Sequence, residues 1–141
     1  MALKFDGTMK TDVTKAQTMM RSHYDGEVWG VDVFGNFIYT CGDDNQIMQW
    51  SIINKVCTKV CPILTKTEAE MPNIQAKIKQ VKKVTASTFS QQEKFLCARA
   101  LDVSEKYGHI AVGHLTGFIT VRDLPKDPSK DWKLIYVMTD P

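Results

Sequence analysis

The sequence of 141 residues lacks a long hydrophobic run. No stretch approaches the roughly 18 consecutive apolar residues that a membrane-spanning helix needs, and the first ten residues contain no apolar signal-peptide core. We therefore expect a soluble, cytoplasmic protein that does not contact a membrane. The net charge of +2 is too small to indicate a partner, and a chain with 43% hydrophobic residues can bury one core.

The common motifs of catalysis and cofactor binding are also absent from the sequence. No glycine-rich phosphate loop follows a strand, and neither a nucleophile elbow nor an HExxH pattern occurs. The adjacent carboxylates Asp43 and Asp44 lie in a polar turn, where neighbouring side chains project apart, so they are interpreted as turn formers. We therefore expect no enzymatic activity, no catalytic residue and no cofactor.

Cysteine is scarce, at four residues. Cys41 lies within an apolar alternation, which indicates a reduced core thiol rather than part of a disulfide framework. Cys57 and Cys61, with His23 or His114, form a set of zinc-ligand residue types. The two cysteines, however, lie at the two ends of one predicted strand and not on a zinc knuckle. We therefore expect no metal site.

What the sequence does contain is a repeated pattern of short strands. Segments rich in β-branched and aromatic residues alternate with turn formers, which predicts four-stranded antiparallel meanders. The predicted strands of the first unit are residues 28–33, 37–41, 46–52 and 55–61. Those of the second unit are residues 98–103, 110–113, 118–123 and 132–138.

The spacing of the two units predicts an insertion between them. The dipeptides Asp32-Val33 and Asp102-Val103 occupy matching places and lie about 70 residues apart, whereas a propeller blade of the WD kind repeats every ~40 to 45 residues. We assign the extra residues to 62–95.

The first unit resembles a WD40 repeat. His23 is followed by the strings GEVWG, TCGDDN and IMQW in that order. The resemblance implies an all-β fold, a WD40-type β-propeller fragment of about two four-stranded blades. It also implies a hydrogen-bonded structural tetrad, formed by His23, Thr40, Asp44 and Trp50.

The second unit departs from the WD40 pattern. Thr116 and Arg122 stand where the turn Asp and the strand Trp are expected, so this blade is interpreted as degenerate and without the tetrad. The first unit departs once, with Ser51 in place of the Asp that gives the repeat its name.

The predicted organisation has four parts: an N-terminal strand or tail (1–21), a blade with the tetrad (22–61), the insertion (62–95) and a degenerate blade (96–138). Closed propellers have ~4 to 8 blades. We therefore expect a fragment of a larger propeller, whose open faces and edges favour self-association.

A narrower resemblance concerns short sequence strings within the two blades. The strings GEVWG and YTCGDD in the first unit, and IAVGH followed by TG in the second, resemble blades of the echinoderm microtubule-associated-protein-like family. This resemblance implies a protein-interaction scaffold of the cytoskeleton or cilium, with tubulin as the partner.

The insertion is predicted to be helical after Pro72, because Ile74, Ile78, Val81 and Val84 recur at helical spacing. Its candidate partner-binding residues are Lys77, Lys79, Lys82 and Lys83. These lysines either meet an acidic surface such as the tubulin tails or form the solvated side of a connector. Nucleic-acid binding through the segment is the alternative function. It is disfavoured because no aromatic residue is interleaved with the lysines.

Overall fold

The computed structural model describes residues 23, 27–85, 97–115 and 117–139, with the backbone alone for 81–85. The predicted N-terminal strand or tail, residues 1–21, lies outside this range. So do Thr116 and residues 86–96, which follow the insertion helix.

The described residues form two four-stranded antiparallel sheets, each with its strands in sequence order. Blade 1 contains β1 (Val28–Phe34), β2 (Phe37–Gly42), β3 (Gln46–Ser51) and β4 (Val56–Pro62). Blade 2 contains β5 (Ala98–Ser104), β6 (His109–His114), β7 (Ile119–Asp123) and β8 (Leu134–Met138). Two helices lie between the blades in the sequence, α1 (Lys66–Ala69) and α2 (Pro72–Thr85). The predicted fold class, an all-β WD40-type propeller fragment with a helical insertion, is confirmed.

Short turns join most neighbouring strands within each blade, and in three of these turns a glycine or asparagine has positive φ. Gly35 lies in the β1–β2 turn and Gly108 in the β5–β6 turn, with φ of 58° and 62°. Asn45, in the β2–β3 turn, has φ of 59°. Glycine and asparagine are the residues that enter this left-handed region at the lowest cost. The turns therefore set the meander topology of both blades.

One hydrophobic core joins the facing surfaces of the two blades. At the closest approach, between β1 and β5, a Cβ built on Gly30 would lie 2.8 Å from the Cβ of Leu101. Real Cβ atoms do not approach so closely, so this glycine lets the two strands meet. The buried members of the core are Tyr39, Cys41, Ile47, Cys61, Ile63, Ala98, Ile110, Val112 and Trp132.

Most predicted strand ends differ from the structure by one residue or two, and three of the differences involve a proline or an aromatic residue. The predicted strand 55–61 ends before Pro62, yet Pro62 forms the last pair of β4, with Gln46. Phe118 and Trp132 were placed at the start of strands but precede them, and both are buried. Their aromatic side chains carry the β-strand signal although they pack from the connecting loops.

A capping box begins the insertion. The Thr65 hydroxyl accepts a hydrogen bond from Glu68 N at 3.2 Å, and Thr65 N donates to Glu68 Oε1 at 2.8 Å. These reciprocal bonds satisfy backbone donors that the start of α1 leaves unpaired. The longer helix α2 then buries Ile74 and packs Ile78 against Phe118 of blade 2. The insertion is thus attached to blade 2 along part of its length.

Candidate functional site

Four side chains form a chain of hydrogen bonds at one corner of blade 1. Trp50 Nε1 donates to Thr40 Oγ1 at 2.8 Å. Thr40 Oγ1 lies 2.6 Å from His23 Nε2, and His23 Nδ1 lies 2.8 Å from Asp44 Oδ2. Every donor meets an acceptor when the Thr40 hydroxyl donates to Nε2 and His23 carries its proton on Nδ1.

The structure thus brings together the four side chains of the tetrad that the WD40 resemblance implies. Thr40 is fully buried and Trp50 is nearly so. Buried polar groups destabilise a fold unless they are hydrogen-bonded, and here each is bonded within the chain. Because its polar atoms are occupied by one another, this corner ties strands and turns together and offers no free group for catalysis.

A second cluster, the Trp29 cluster, joins the two blades at the surface and consists of Trp29, Asp43 and Arg99. Asp43 accepts hydrogen bonds from Glu27 N and from Trp29 Nε1, both at 3.1 Å. Arg99 of blade 2 forms an ion pair with the same carboxylate, and its guanidinium lies 4.6 Å from the Trp29 ring centroid. Partial burial raises the pKa of Asp43, but the bonds from Glu27 N and Arg99 outweigh it and the net pKa is lowered.

Sequence reasoning missed this cluster. Trp29 appeared there only within the string GEVWG, and 48% of its surface is exposed. Asp43 was interpreted as a turn former, and Arg99 was assigned no role. The ion pair joins residues 56 positions apart, so no local pattern indicates it.

Blade 2 contains a different buried network at the place of the tetrad Trp. Trp50 pairs with Ile38 across β2 and β3, and Arg122 pairs with Ile110 at the matching place of β6 and β7. Arg122 is only 2% exposed. The residue that departs from the WD40 pattern at this position is the centre of a polar network.

Arg122 binds the start of the insertion. Its Nη1 and Nη2 atoms donate to the two Glu68 carboxylate oxygens at 3.0 and 2.6 Å. The same two atoms donate to the carbonyls of Trp132 and Ile63, each at 2.9 Å. Glu68 therefore serves both the capping box of α1 and the buried ion pair. Burial raises the pKa of Glu68, but the hydrogen bonds from Arg122 and Thr65 N are stronger and lower it overall.

Blade 2 also contains a buried histidine–threonine contact. His114 Nε2 lies 3.2 Å from Thr120 Oγ1, and both residues are buried. His114, considered above as a zinc-ligand residue type, thus belongs to a buried contact between β6 and β7.

The candidate partner-binding lysines fall into three situations. Lys77 is half-buried, and its Nζ donates to the carbonyl of Val137 in β8. Lys79 is exposed. The side chains of Lys82 and Lys83 lie outside the described part of the chain. The helical spacing correctly indicated α2, but it did not indicate that Lys77 contacts an edge strand.

The cysteines are free thiols, and burial raises the pKa of Cys41 to about 11. Cys57 and Cys61 lie near opposite ends of β4. Within residues 23, 27–85, 97–115 and 117–139, no group of three His, Cys, Asp or Glu side chains is arranged to bind a metal ion. The helices in those ranges are also too short or too polar to cross a membrane.

Two stacked antiparallel blades, one carrying a His–Thr–Asp–Trp chain, define the class of fold as WD40-type propeller blades. The chain is 31% identical over 119 residues to the ciliary WD repeat-containing protein ctxp80 of Euplotoides octocarinatus. The match covers 83% of this chain, and the chain spans 15% of the length of that curated relative. No protein-family model matches the chain. The similarity to a WD repeat protein agrees with the blade architecture.

Proposed function

We propose that this chain is a two-bladed part of a non-enzymatic WD40-type propeller that acts as a protein-interaction scaffold. The observation that carries the proposal is the 31% identity to a WD repeat-containing protein over most of the chain. Folds of this kind host different functions, so the argument must also rest on sites.

The Trp29 cluster supports an interaction role. Trp29 is half-exposed, yet its indole N–H and its ring are held by Asp43 and Arg99. Tryptophan and arginine are the residue types that dominate binding energy at protein interfaces, above all where their conformations are fixed before binding. This cluster is a rigid surface on which a partner protein can dock.

The open faces of the blades support contact with further protein. Val31 and Val33 of β1 are exposed by 64% and 58%, and Tyr136 of β8 by 59%. Exposed apolar side chains in neighbouring positions favour association. Further blades of a longer chain, or self-association of this one, would cover them.

The finer proposal is that the scaffold is associated with microtubules in the cytoplasm, within the cytoskeleton or cilium. It is supported by the resemblance of the blades to the echinoderm microtubule-associated-protein-like family and by the word "ciliary" in the name of the relative. Lys77, Lys79, Lys82 and Lys83 of the insertion are the proposed contacts for the acidic tubulin tails. Charge contacts of this type are screened by salt.

Co-pelleting with microtubules tests the finer proposal. We expect the 141-residue chain to sediment with microtubules at low ionic strength, and the sedimented fraction to fall with added salt or after removal of the tubulin tails. Changing the four lysines to Glu should abolish co-pelleting. The matched control changes four exposed lysines outside α2 to Glu, namely Lys55, Lys66, Lys106 and Lys126, and alters the net charge equally.

An equal loss of co-pelleting in both quadruple variants would mean that only the net charge of the chain matters. That result would contradict a binding site on α2. Binding to nucleic acid with a steep salt dependence, in the absence of microtubule binding, would favour the alternative function.

A further inference from the structure

The insertion helix and the last strand of blade 2 enclose a groove of about 440 Å³. Met71, Asn73 and Lys77 form one wall, and Lys133, Ile135 and Tyr136 form the other. Ile74, which is nearly fully buried, and the half-buried Leu134 also line it. The groove therefore combines an apolar lining with polar rims, as sites that recognise peptides do.

One wall of the groove is an edge strand. β8 is the end strand of its sheet within the described residues, with β7 on its one paired side. Alternate residues of an end strand direct their N–H and C=O groups away from the sheet, which makes such a strand a template for another extended segment. The five residues of β8 present about 17 Å of such backbone, at ~3.3 Å per residue.

We propose that this groove binds an extended acidic segment of a partner protein, which pairs with β8 as an additional strand. The proposal deepens the proposed scaffold function, because it names the chemistry and the binding mode of a partner. The groove proposal depends on the proposed scaffold function in one respect, namely that the partner is a protein.

The charged side chains that line the groove favour an occupant with negative charge. Lys77 and Lys133 are the lysines of the lining, and Glu68 is its one carboxylate among the residues that the structure describes. Glu68 is already bonded through both of its oxygens to Arg122. The remaining uncompensated charge is positive, so carboxylates on an incoming strand are attracted and lysines are repelled.

Lys77 couples the charge to the backbone. Its ammonium group donates a hydrogen bond to the carbonyl of Val137, across the groove from α2 to β8. A carboxylate on the incoming segment would attract this ammonium group and release the carbonyl. The carbonyl could then accept an N–H of the new strand, so that neither group loses its hydrogen bond.

A second copy of this chain is a poorer occupant. Pairing β8 with another β8 would bring the Lys77 and Lys133 of both copies into one groove. The matching end strand of blade 1, β4, carries Lys59. Like charges placed opposite each other oppose strand pairing, so the charge pattern favours an acidic partner over self-pairing.

Fluorescence anisotropy with a labelled synthetic peptide tests the inference on the full 141-residue chain. The peptide alternates Val and Glu over eight residues, which places the carboxylates on one face of a strand. The same peptide with alternate backbone nitrogens methylated keeps its charge and loses the N–H donors along one edge. We expect the unmodified peptide to bind at least about tenfold more tightly, the ratio that 1.4 kcal/mol produces.

Hydrogen exchange locates the bound peptide. The backbone amides of β8 should exchange more slowly in its presence, while those of β4 should be unchanged. Equal binding of the methylated peptide, or protection elsewhere than β8, would overturn the proposal in favour of charge attraction alone.

Lys133→Glu tests the charge of the groove, with Lys126→Glu as the matched control at an exposed position outside it. We expect the first variant to weaken peptide binding by roughly tenfold and the second to leave it within about twofold. Equal effects would overturn the proposed occupant. A dimer that forms through β8 and excludes the peptide would assign the groove to a second copy.

The outcomes are separable from those of the microtubule assay. If the chain co-pellets with microtubules but does not bind the peptide, the groove proposal is contradicted and the microtubule proposal stands. If the chain binds the peptide but does not co-pellet with microtubules, the groove proposal stands and tubulin is contradicted as the partner.

Discussion

The two blades place chemically different side chains at the same buried strand position. At matching places in their third strands, blade 1 has Trp50 and blade 2 has Arg122. Trp50 donates one hydrogen bond, to Thr40, within its own blade. Arg122 donates four, to Glu68, Ile63 and Trp132, all of which lie outside the strands of blade 2.

The difference shows that this strand position can hold an indole with one hydrogen bond or a guanidinium with four, even though Nε of Arg122 is buried without a hydrogen bond. An indole needs one acceptor, which the blade supplies itself. A guanidinium needs several acceptors, and here the insertion supplies a carboxylate. The loss of the tryptophan in blade 2 and the presence of the capped helix α1 are therefore one structural feature rather than two.

The largest expected effect comes from breaking the network of blade 2. Arg122→Leu leaves Glu68 without its partner near the core, and removal of one member of a buried ion pair costs about 3 to 5 kcal/mol. Urea denaturation at neutral pH measures the free energy of unfolding. A loss below about 1 kcal/mol, the level of exposed pairs, would mean that Glu68 rehydrates freely and that the network contributes little.

A double variant sharpens this result. Arg122→Leu combined with Glu68→Gln removes the charge but keeps a side chain that can close the capping box with Thr65. We expect the double variant to be more stable than Arg122→Leu alone. The reverse order would show that the carboxylate stabilises α1 independently of Arg122.

The next effect concerns the tetrad of blade 1. His23→Ala removes the partner shared by Thr40 and Asp44, and leaving buried polar groups unpaired costs about 1 to 3 kcal/mol. Thermal unfolding followed by circular dichroism measures the loss. Glu93→Ala, at the matching sequence position of blade 2, is the control and should melt with the parent protein. If the His23→Ala variant has the same melting temperature as the parent protein, the tetrad does not contribute to the stability of blade 1.

The smallest effect is a difference in acid sensitivity. The pKa of Glu68 is lowered in the folded chain, so its ion pair contributes full stability above the ordinary glutamate pKa of 4.5. That contribution is lost as the pH falls through the folded value. Urea denaturation between pH 7 and pH 3 should show a steeper loss for the parent than for Glu68→Gln. Parallel curves would contradict the role of the carboxylate.

The fold class could be predicted from the sequence because its signals are local. Alternating strands and turn formers such as Gly35 and Asn45 depend on a few neighbouring residues. The helix α2 was predicted in the same way, from the spacing of Ile74 and Ile78. The helix α1 was missed although Thr65 and Glu68 have the spacing of a capping box, so its signal was present in the sequence.

The polar networks could be predicted only where a family pattern indicated them. His23 and Trp50 were placed through the WD40 resemblance. Arg122 departs from that pattern, and its partner Glu68 lies 54 residues earlier in the chain. The contact of Lys77 with Val137 spans 60 residues. Such pairings depend on how the insertion docks against blade 2, which no periodicity specifies.

The separation of Arg122 from Glu68 also has a consequence for the order of events during synthesis. The longest contact of the tetrad, between His23 and Asp44, spans 21 residues, so blade 1 can close its network early. Glu68 must wait for 54 more residues before its guanidinium partner is made, roughly 3 to 11 s at ordinary rates of translation. The ion pair that attaches α1 to blade 2 can therefore form only after β7 has been synthesised, whereas the capping box between Thr65 and Glu68 needs only neighbouring residues.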